Sequence, residues 1–516
     1  MFPAPTSTLP APRAPAETAP SHRVRAGAVL PYALSSGISA LLGVVNLVVL
    51  TRLLPPAGYG AYAVVVTAVT LGQTAFFHWL SNGVLRFHPG AEGPAGVAQL
   101  GRAARAGFLL SSGAAVLSWA AAALVVPPPD FRAAAAGLAM VIARGWMSVV
   151  LSWNRSAGRH WRYVATEAGC GVGTLALAVA GLRLRPGDPA VPLLAATVAG
   201  LLAAALSREP DAARGAGHGH GGPPLRALVR EMWGFGAPLT LVALASVVLA
   251  ASDRLLIGAV LGPADAGAYS VAASIADRAV SLVLLSITLA TKPLVFAEYE
   301  RRGEASTRAL LARVAGWVMT AGFPAATVLV FAPGPVAALL VGGGMAPAAA
   351  AMLPWLAAGA LLSGFMALHF GLAFQITRRT TGLLAAVVPA AALNVAANLV
   401  LLPRYGVMAA AWTTLGSYAV ATALVIALGR RHFAVPFPAG AAARTAAACV
   451  PLALFVRLQP FSTPGAAVLV LTAAAAVYAV SAFALDVAGV RTGVAPRSGR
   501  GLRPPGASVA GGQRQS

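Results

Sequence analysis

Charge is scarce in this sequence, and negative charge scarcest. Only 10% of its 516 residues are charged, and Asp and Glu together number 15. A water-soluble chain carries about 25% charged residues, so this one lacks the polar surface to coat a soluble fold. Bilayer solvation is the economical account. Lysine is almost missing: Lys292 is the only one, so the basic residues are nearly all arginine. Cysteine occurs twice, as Cys170 and Cys449, both inside apolar runs. That excludes a disulfide framework and a cysteine metal centre. Residues 1–25 are Pro/Ala-rich, contain Glu17 and have no apolar core. No cleavable signal peptide is expected, and the first spanning helix would target the chain to the membrane.

What is present is apolar. Hydrophobic residues make up 58% of the chain, and the mean hydropathy is +0.76. Continuous apolar runs at roughly 20 residues per span predict about fourteen transmembrane helices. They lie near 27–51, 61–83, 104–126, 133–153, 163–183, 190–206, 233–261, 267–291, 313–332, 347–374, 380–402, 407–429, 441–458 and 465–488. The runs do not alternate, which predicts an all-α polytopic membrane protein rather than a barrel. The net charge of +22 could suggest nucleic-acid binding, but the arginines sit between apolar runs and form no single polar face. No nucleic-acid partner is expected, and the charge becomes topological information. With the N-terminus inside, 28 of the 37 basic residues fall on the cytoplasmic side, 6 on the other, and Arg144, Arg254 and Arg278 within spans. That bias predicts cytoplasmic N- and C-termini and an even number of spans.

The chain also repeats itself at an offset of 207 positions. Pro31 maps onto Pro238, Pro56-Ala57 onto Pro263-Ala264, and Gly60-Ala61-Tyr62 onto Gly267-Ala268-Tyr269. The offset advances by six spans, so both copies keep one orientation. Two parallel-repeat six-helix bundles are predicted, at 25–206 and 233–430, related by an axis along the membrane normal. Residues 207–232 form a cytoplasmic linker, and 431–488 an appended pair, helices 13 and 14. The tails 1–24 and 489–516 have the Pro/Gly/Arg/Ser composition of disordered segments.

Three stretches in order carry a resemblance. The first is Thr51-Arg52-Leu53-Leu54-Pro55-Pro56-Ala57-Gly58-Tyr59-Gly60-Ala61-Tyr62. The second is Asp253-Arg254-Leu255-Leu256-Ile257-Gly258, then Leu261-Gly262-Pro263 and Gly267-Ala268-Tyr269. The third is Asn394 and Asn398, then Leu402-Pro403-Arg404-Tyr405-Gly406 and Ala409-Ala410-Ala411-Trp412. Over residues 25–490 the chain resembles the oligosaccharide and polysaccharide flippases of the multidrug/oligosaccharidyl-lipid/polysaccharide exporter superfamily. The resemblance implies a bacterial inner-membrane protein that moves lipid-linked sugar intermediates across the bilayer. Its implied partners are membrane lipid and a polyprenyl-diphosphate-linked saccharide, and no cofactor is implied.

Ionisable groups at membrane depth mark the candidate site. Asp253 and Arg254 on span seven, and Asp277 and Arg278 on span eight, lie roughly 13–15 Å below the outer surface. Cross-pairing of Asp253 with Arg278, or of Arg254 with Asp277, would lower the cost of burying them. The cluster is either a structural ion-pair set or a gated one that yields an arginine to a phosphate. On the second reading Asp253 and Asp277 are also candidate proton or sodium sites. Arg144 in span four is the candidate diphosphate contact of the first half, with Glu167 as its alternative partner and, beside Asp253 and Asp277, a coupling-ion or gate candidate. Asn394 and Asn398 share a helical face, for helix–helix hydrogen bonding or for sugar hydroxyls. Gln73, His78 and Asn82 give span two a similar polar edge. Arg52, Arg86 and Lys292 read as interfacial anchors. Pro31 and Pro238 predict matched kinks in spans one and seven. His218 and His220 lie in a Gly/His-rich stretch that reads as linker, and no metal site is expected. Residues 293–312 mix apolar and charged positions, as in a helix lying on the membrane surface.

Together these features predict a flippase or exporter working by alternating access. A same-fold exporter of a peptidoglycan lipid precursor or of drugs is the alternative. A sugar polymerase or ligase is disfavoured, because the outer acids Asp130, Asp188 and Asp265 are scattered and general acid–base work needs neighbouring groups.

Overall fold

The computed structural model describes residues 26–91, 93–125, 130–207, 224–377, 379, 381–459 and 463–487. Among them there is no strand. The helices are α1 Ala26–Leu53, α2 Pro56–Phe87, α3 Gly93–Val125, α4 Phe131–Ser156, α5 His160–Leu184, α6 Ala190–Leu206, α7 Leu225–Val260 and α8 Pro263–Phe331. They continue as α9 Pro333–Leu340, α10 Ala346–Phe365, α11 Leu372–Ile376, α12 Thr381–Tyr405, α13 Val407–Gly429, α14 Ala439–Leu458 and α15 Pro464–Ala484. A π-helical turn, Met366–Phe370, joins α10 to α11.

Twelve of these helical stretches are long and apolar enough to cross a membrane. The chain is thus a multi-pass membrane protein. The two other expected spans fall on α6, which is apolar but only 17 residues long, and on the first part of α8. The Gly/His stretch, residues 1–25 and residues 488–516 lie outside the described residues, as does most of the expected linker.

Local chemistry sets the helix ends. Asp130 caps α4 by accepting from the Arg132 and Ala133 N–H groups (2.8 and 3.1 Å), and Thr463 caps α15 through Ala466 N–H at 3.1 Å, the usual N-cap arrangement. Pro263, Pro333 and Pro464 open α8, α9 and α15, where a missing N–H costs nothing. Gly303, at φ 75°, breaks α8.

The chain divides into two compact units, formed by the described residues of 1–46 with 68–244, and of 47–67 with 245–516. This division does not run along the two expected bundles, because α1, α2 and α7 each pass from one unit to the other. In the first unit, Trp79, Leu80, Val84, Leu100, Val149 and Met232 make a buried core. Helices approach closely at glycines: a Cβ on Gly236 would lie 2.4 Å from the Trp79 carbonyl oxygen.

In the second unit the segment around 293–312 is not a single surface helix. It forms two legs meeting at Gly303, joined by a Ser306–Glu298 hydrogen bond, with the Glu298–Arg302 (3.3 Å) and Glu304–Arg308 (2.5 Å) ion pairs each lying within one leg. Val295 and Leu311 on these legs pack with Leu372, Ile376 and Phe433. Part of the amphipathic pattern's apolar face is thus buried against protein, while Leu294 stays exposed.

Candidate functional site

The second unit holds a carboxylate buried without a cation. Asp253, on α7, has no exposed surface. Tyr269 of α8 donates its hydroxyl hydrogen to Asp253 Oδ2 at 2.6 Å, and Asn398 of α12 donates from Nδ2 to Oδ1 at 2.6 Å. Thr414 Oγ1, in the first turns of α13, lies 2.7 Å from Asp253 Oδ2 and 2.7 Å from the Ala410 carbonyl. Its single hydrogen serves one of these acceptors at a time. Thr413 is placed alike, 2.9 Å from Asn398 Oδ1 and 3.1 Å from Ala410 O. Asn394, one turn before Asn398, accepts from Ser252 and from Asn398 Nδ2, each at 3.3 Å. Both asparagines are fully buried, and Asn394 Nδ2 has no partner among the described residues. Four helices thus enclose one carboxyl group with neutral oxygens and amides.

The expected cross-pairing of Asp253 with Arg278 and of Arg254 with Asp277 is not there. Among the described residues neither aspartate lies within 4.0 Å of an arginine nitrogen. Asp277 is exposed and accepts from Ser281 at 2.7 Å. The reason is angular: successive residues on a helix point about 100° apart. Asp253 turns to α12 and α13 while Arg254 faces elsewhere. Arg254 and Arg278 lie within electrostatic reach of each other and of Tyr59, Arg278 also of Tyr62 and Asp277, and Arg254 also of Asp253, without contact to either carboxylate. Both arginines are partly buried, and Arg254 Nε and Arg278 Nη1 are shielded from solvent with no acceptor among the described residues.

The two copies of the repeat meet in this unit through their equivalent residues. A Cβ on Gly60 would lie 1.6 Å from the Pro263 carbonyl oxygen, and one on Gly267 2.9 Å from that of Pro56. Each member of the 207-residue register touches the other's counterpart, the reciprocity of a two-fold contact. The same register places Asn46 opposite Asp253 in sequence. Asn46 Oδ1 is buried and unpartnered among the described residues.

In the first unit, Arg144 is exposed on α4. Cys170 lies within electrostatic reach of both Arg144 and Glu167. Glu167 does not pair with Arg144; it accepts a short hydrogen bond from Ser35. Pro31, buried, and Pro238, exposed, lie inside the continuous helices α1 and α7. On α2, Asn82 donates to the His78 carbonyl at 2.9 Å, an intrahelical use of the polar edge. No three His, Cys, Asp or Glu side chains converge among the described residues.

The fold has counterparts among solved structures. The lipid II flippase MurJ in an inward closed conformation aligns at a TM-score of 0.71 and 9% identity, over 89% of this chain and 99% of that one. An inward-facing multidrug resistance MATE family transporter of the MOP superfamily aligns at 0.61 and 14% identity, over 76% and 94%. The chain has the fold of the MOP superfamily. The resemblance drawn from the three sequence stretches stands on this ground. A third MOP structure, an outward-facing multidrug resistance MATE family transporter, aligns at 0.55 and 13% identity, over 78% of this chain and 94% of that one. Residues 225–350 match a family described as polysaccharide biosynthesis protein. That stretch contains Asp253, Arg254, Tyr269 and Arg278. No curated protein matches the sequence.

Sequence reasoning missed Tyr269, Thr413, Thr414 and Ser252 as site residues. Tyr269 is visible only as part of the repeated Gly-Ala-Tyr, and the threonines give no signal beyond being polar within an apolar run.

Proposed function

We propose that this protein is a flippase of the bacterial inner membrane that turns lipid-linked oligosaccharide or polysaccharide intermediates by alternating access, with both termini cytoplasmic. It acts as a transporter and not as an enzyme. The observation that carries this reading is the pair Arg254 and Arg278, whose shielded N–H groups lack acceptors among the described residues. A shielded donor without a partner is costly, more so when charged. A diphosphate supplies the missing oxygens in the fork geometry that guanidinium favours. Arg144 is the corresponding contact in the first half, and Pro31 and Pro238 bend the helices that shape the path. The polysaccharide family match and the lipid II flippase likeness support an anionic, lipid-linked cargo.

Asp253 serves as the coupling-ion site. We assign Asn394 and Asn398 to it rather than to sugar hydroxyls, since both are fully buried against the carboxylate. A proton or a sodium ion on Asp253 would release Thr414 to the Ala410 carbonyl, so occupancy would be felt directly on α13. Glu167 and Asp277 are the gate candidates: Asp277 is exposed, and Glu167, half-buried, is held by the Ser35 hydroxyl alone among the described residues.

The MATE likeness favours a second reading, export of an organic cation. Asp253 is already satisfied by neutral donors, and its helix neighbour is a cation, which fits such a cargo poorly.

The test is flipping of a fluorescent polyprenyl-diphosphate saccharide in proteoliposomes, with pH and sodium gradients applied separately. Arg254→Gln and Arg278→Gln should each lower the rate at least tenfold with unchanged thermal unfolding. Folded variants that flip at the wild-type rate would remove the site assignment. Transport of an organic cation in place of the lipid would favour the second reading.

A further inference from the structure

A groove of about 400 Å³ runs along the hairpin of α5 and α6. Its walls carry Arg162, Thr166, Gly169 and Gly173 from α5, and Ala199 and Ser207 from the α6 side. The two ends differ in chemistry. Arg162 and Ser207 stand at one end, and Leu177 and Ala199 lie at the other. From Arg162 to Leu177 the helix rises about 22 Å, longer than the ~15 Å depth of one hydrocarbon leaflet.

The polar end carries two independent marks of an anion site at lipid-headgroup depth. Trp161, next to Arg162, is 63% exposed, the position of an interfacial tryptophan. Arg162 is exposed beside it, at the first turn of α5, whose N-cap Arg159 makes no side-chain cap. The Trp161 and Arg162 N–H groups therefore add to the positive field there. Ser207 is the second mark. It is 9% exposed, and its oxygen accepts from the buried Asn154 at 2.7 Å. Its own hydrogen makes no bond among the described residues and is left to donate to something in the groove. Below this end the floor is apolar and open: nothing lies within 4 Å of a Cβ built on Gly169.

We infer that this groove is a binding site for an anionic glycerophospholipid, its phosphate on Arg162 and Ser207 and one acyl chain in the slot over Gly169. A cation and a hydroxyl donor at headgroup depth, above a slot as long as an acyl chain, match that ligand in charge and in shape. The site depends only on the helices spanning a bilayer, not on the cargo.

The test is native mass spectrometry of the full chain released from nanodiscs of phosphatidylglycerol or of phosphatidylcholine, with a soluble-phosphate arm. Phosphatidylglycerol should be retained and phosphatidylcholine should not. Arg162→Gln should lower occupancy on the order of fivefold, the contribution of one basic residue beside anionic lipid. Gly169→Leu, whose Cβ has no atom within 4 Å and whose side chain enters the slot, should displace the lipid while thermal unfolding of the lipid-free protein stays unchanged. Equal retention of both lipids would overturn the site, as would full occupancy in both variants. Binding of inorganic phosphate alone at the same residues would make it an anion site without a lipid. Unaltered flipping in a lipid-free variant would leave the transport reading intact, so the two proposals fail separately.

Discussion

Gly60→Ala is the sharpest perturbation the geometry offers. The new Cβ would stand 1.6 Å from the Pro263 carbonyl oxygen and 2.5 Å from its carbon, both backbone atoms. Reaching ordinary contact at 3.4 Å requires a separation of about 1.8 Å. No rotamer change supplies that, because neither partner is a side chain. Overpacking of this kind costs about 1–3 kcal/mol, so an equilibrium between apposed and parted arms would shift by roughly 5- to 150-fold toward the parted state. Gly267→Ala, with its nearest atom at 2.9 Å, should shift it less. Labelling by a membrane-impermeant thiol reagent reads the shift. Ser270→Cys, at a position 3% exposed and one turn beyond Gly267, is the reporter, in a background with Cys170 and Cys449 replaced. Labelling should accelerate in the order wild type, Gly267→Ala, Gly60→Ala, while Gly37→Ala, where nothing lies within 4 Å, changes nothing. Equal labelling and equal transport in Gly60→Ala and wild type would refute the idea that this contact opens during the cycle.

Three further outcomes follow from the packing. Tyr269→Phe and Thr414→Val each remove a donor from the fully buried Asp253, and each should cost about 1–3 kcal/mol, seen as a lower melting temperature in detergent. Asp253→Asn in the same cage should abolish dependence on the coupling ion while retaining membrane insertion, and a variant that keeps full ion dependence would remove Asp253 from that role. Phe433→Ala should lose about 3–5 kcal/mol, since this side chain is 2% exposed and lies under Arg308 at 5.7 Å; limited proteolysis near Gly303 should rise with it.

The helical architecture was legible because apolar runs and arginine spacing report on the bilayer directly, whatever the tertiary packing. The residue set around Asp253 was legible in part. Asp253, Asn394 and Asn398 stood out as polar groups in apolar runs, but which arginine or hydroxyl each one faces depends on helix rotation. Hydropathy carries no such information, and ion pairing was expected where hydroxyl bonding is found. The pairing of Gly60 with Gly267 had a clear trace in the 207-residue register, while their contact did not. The division into compact units has no trace in the register, because α1, α2 and α7 are each shared between units and sequence similarity marks ancestry rather than packing. The π-helical turn and the buried His369, which meets the Pro436 carbonyl at 3.0 Å, left no trace at all.

The register also sets Asn46 against Asp253, so only one of the twin copies holds a carboxylate at that position. On the coupling role proposed for Asp253, a full turnover would carry a single cation. One elementary charge falling through 100 mV releases about 2.3 kcal/mol, which sustains a leaflet-to-leaflet asymmetry of roughly fiftyfold. Voltage-clamped recordings that count more than one coupling cation per lipid delivered would show that the power stroke draws on a carboxylate elsewhere.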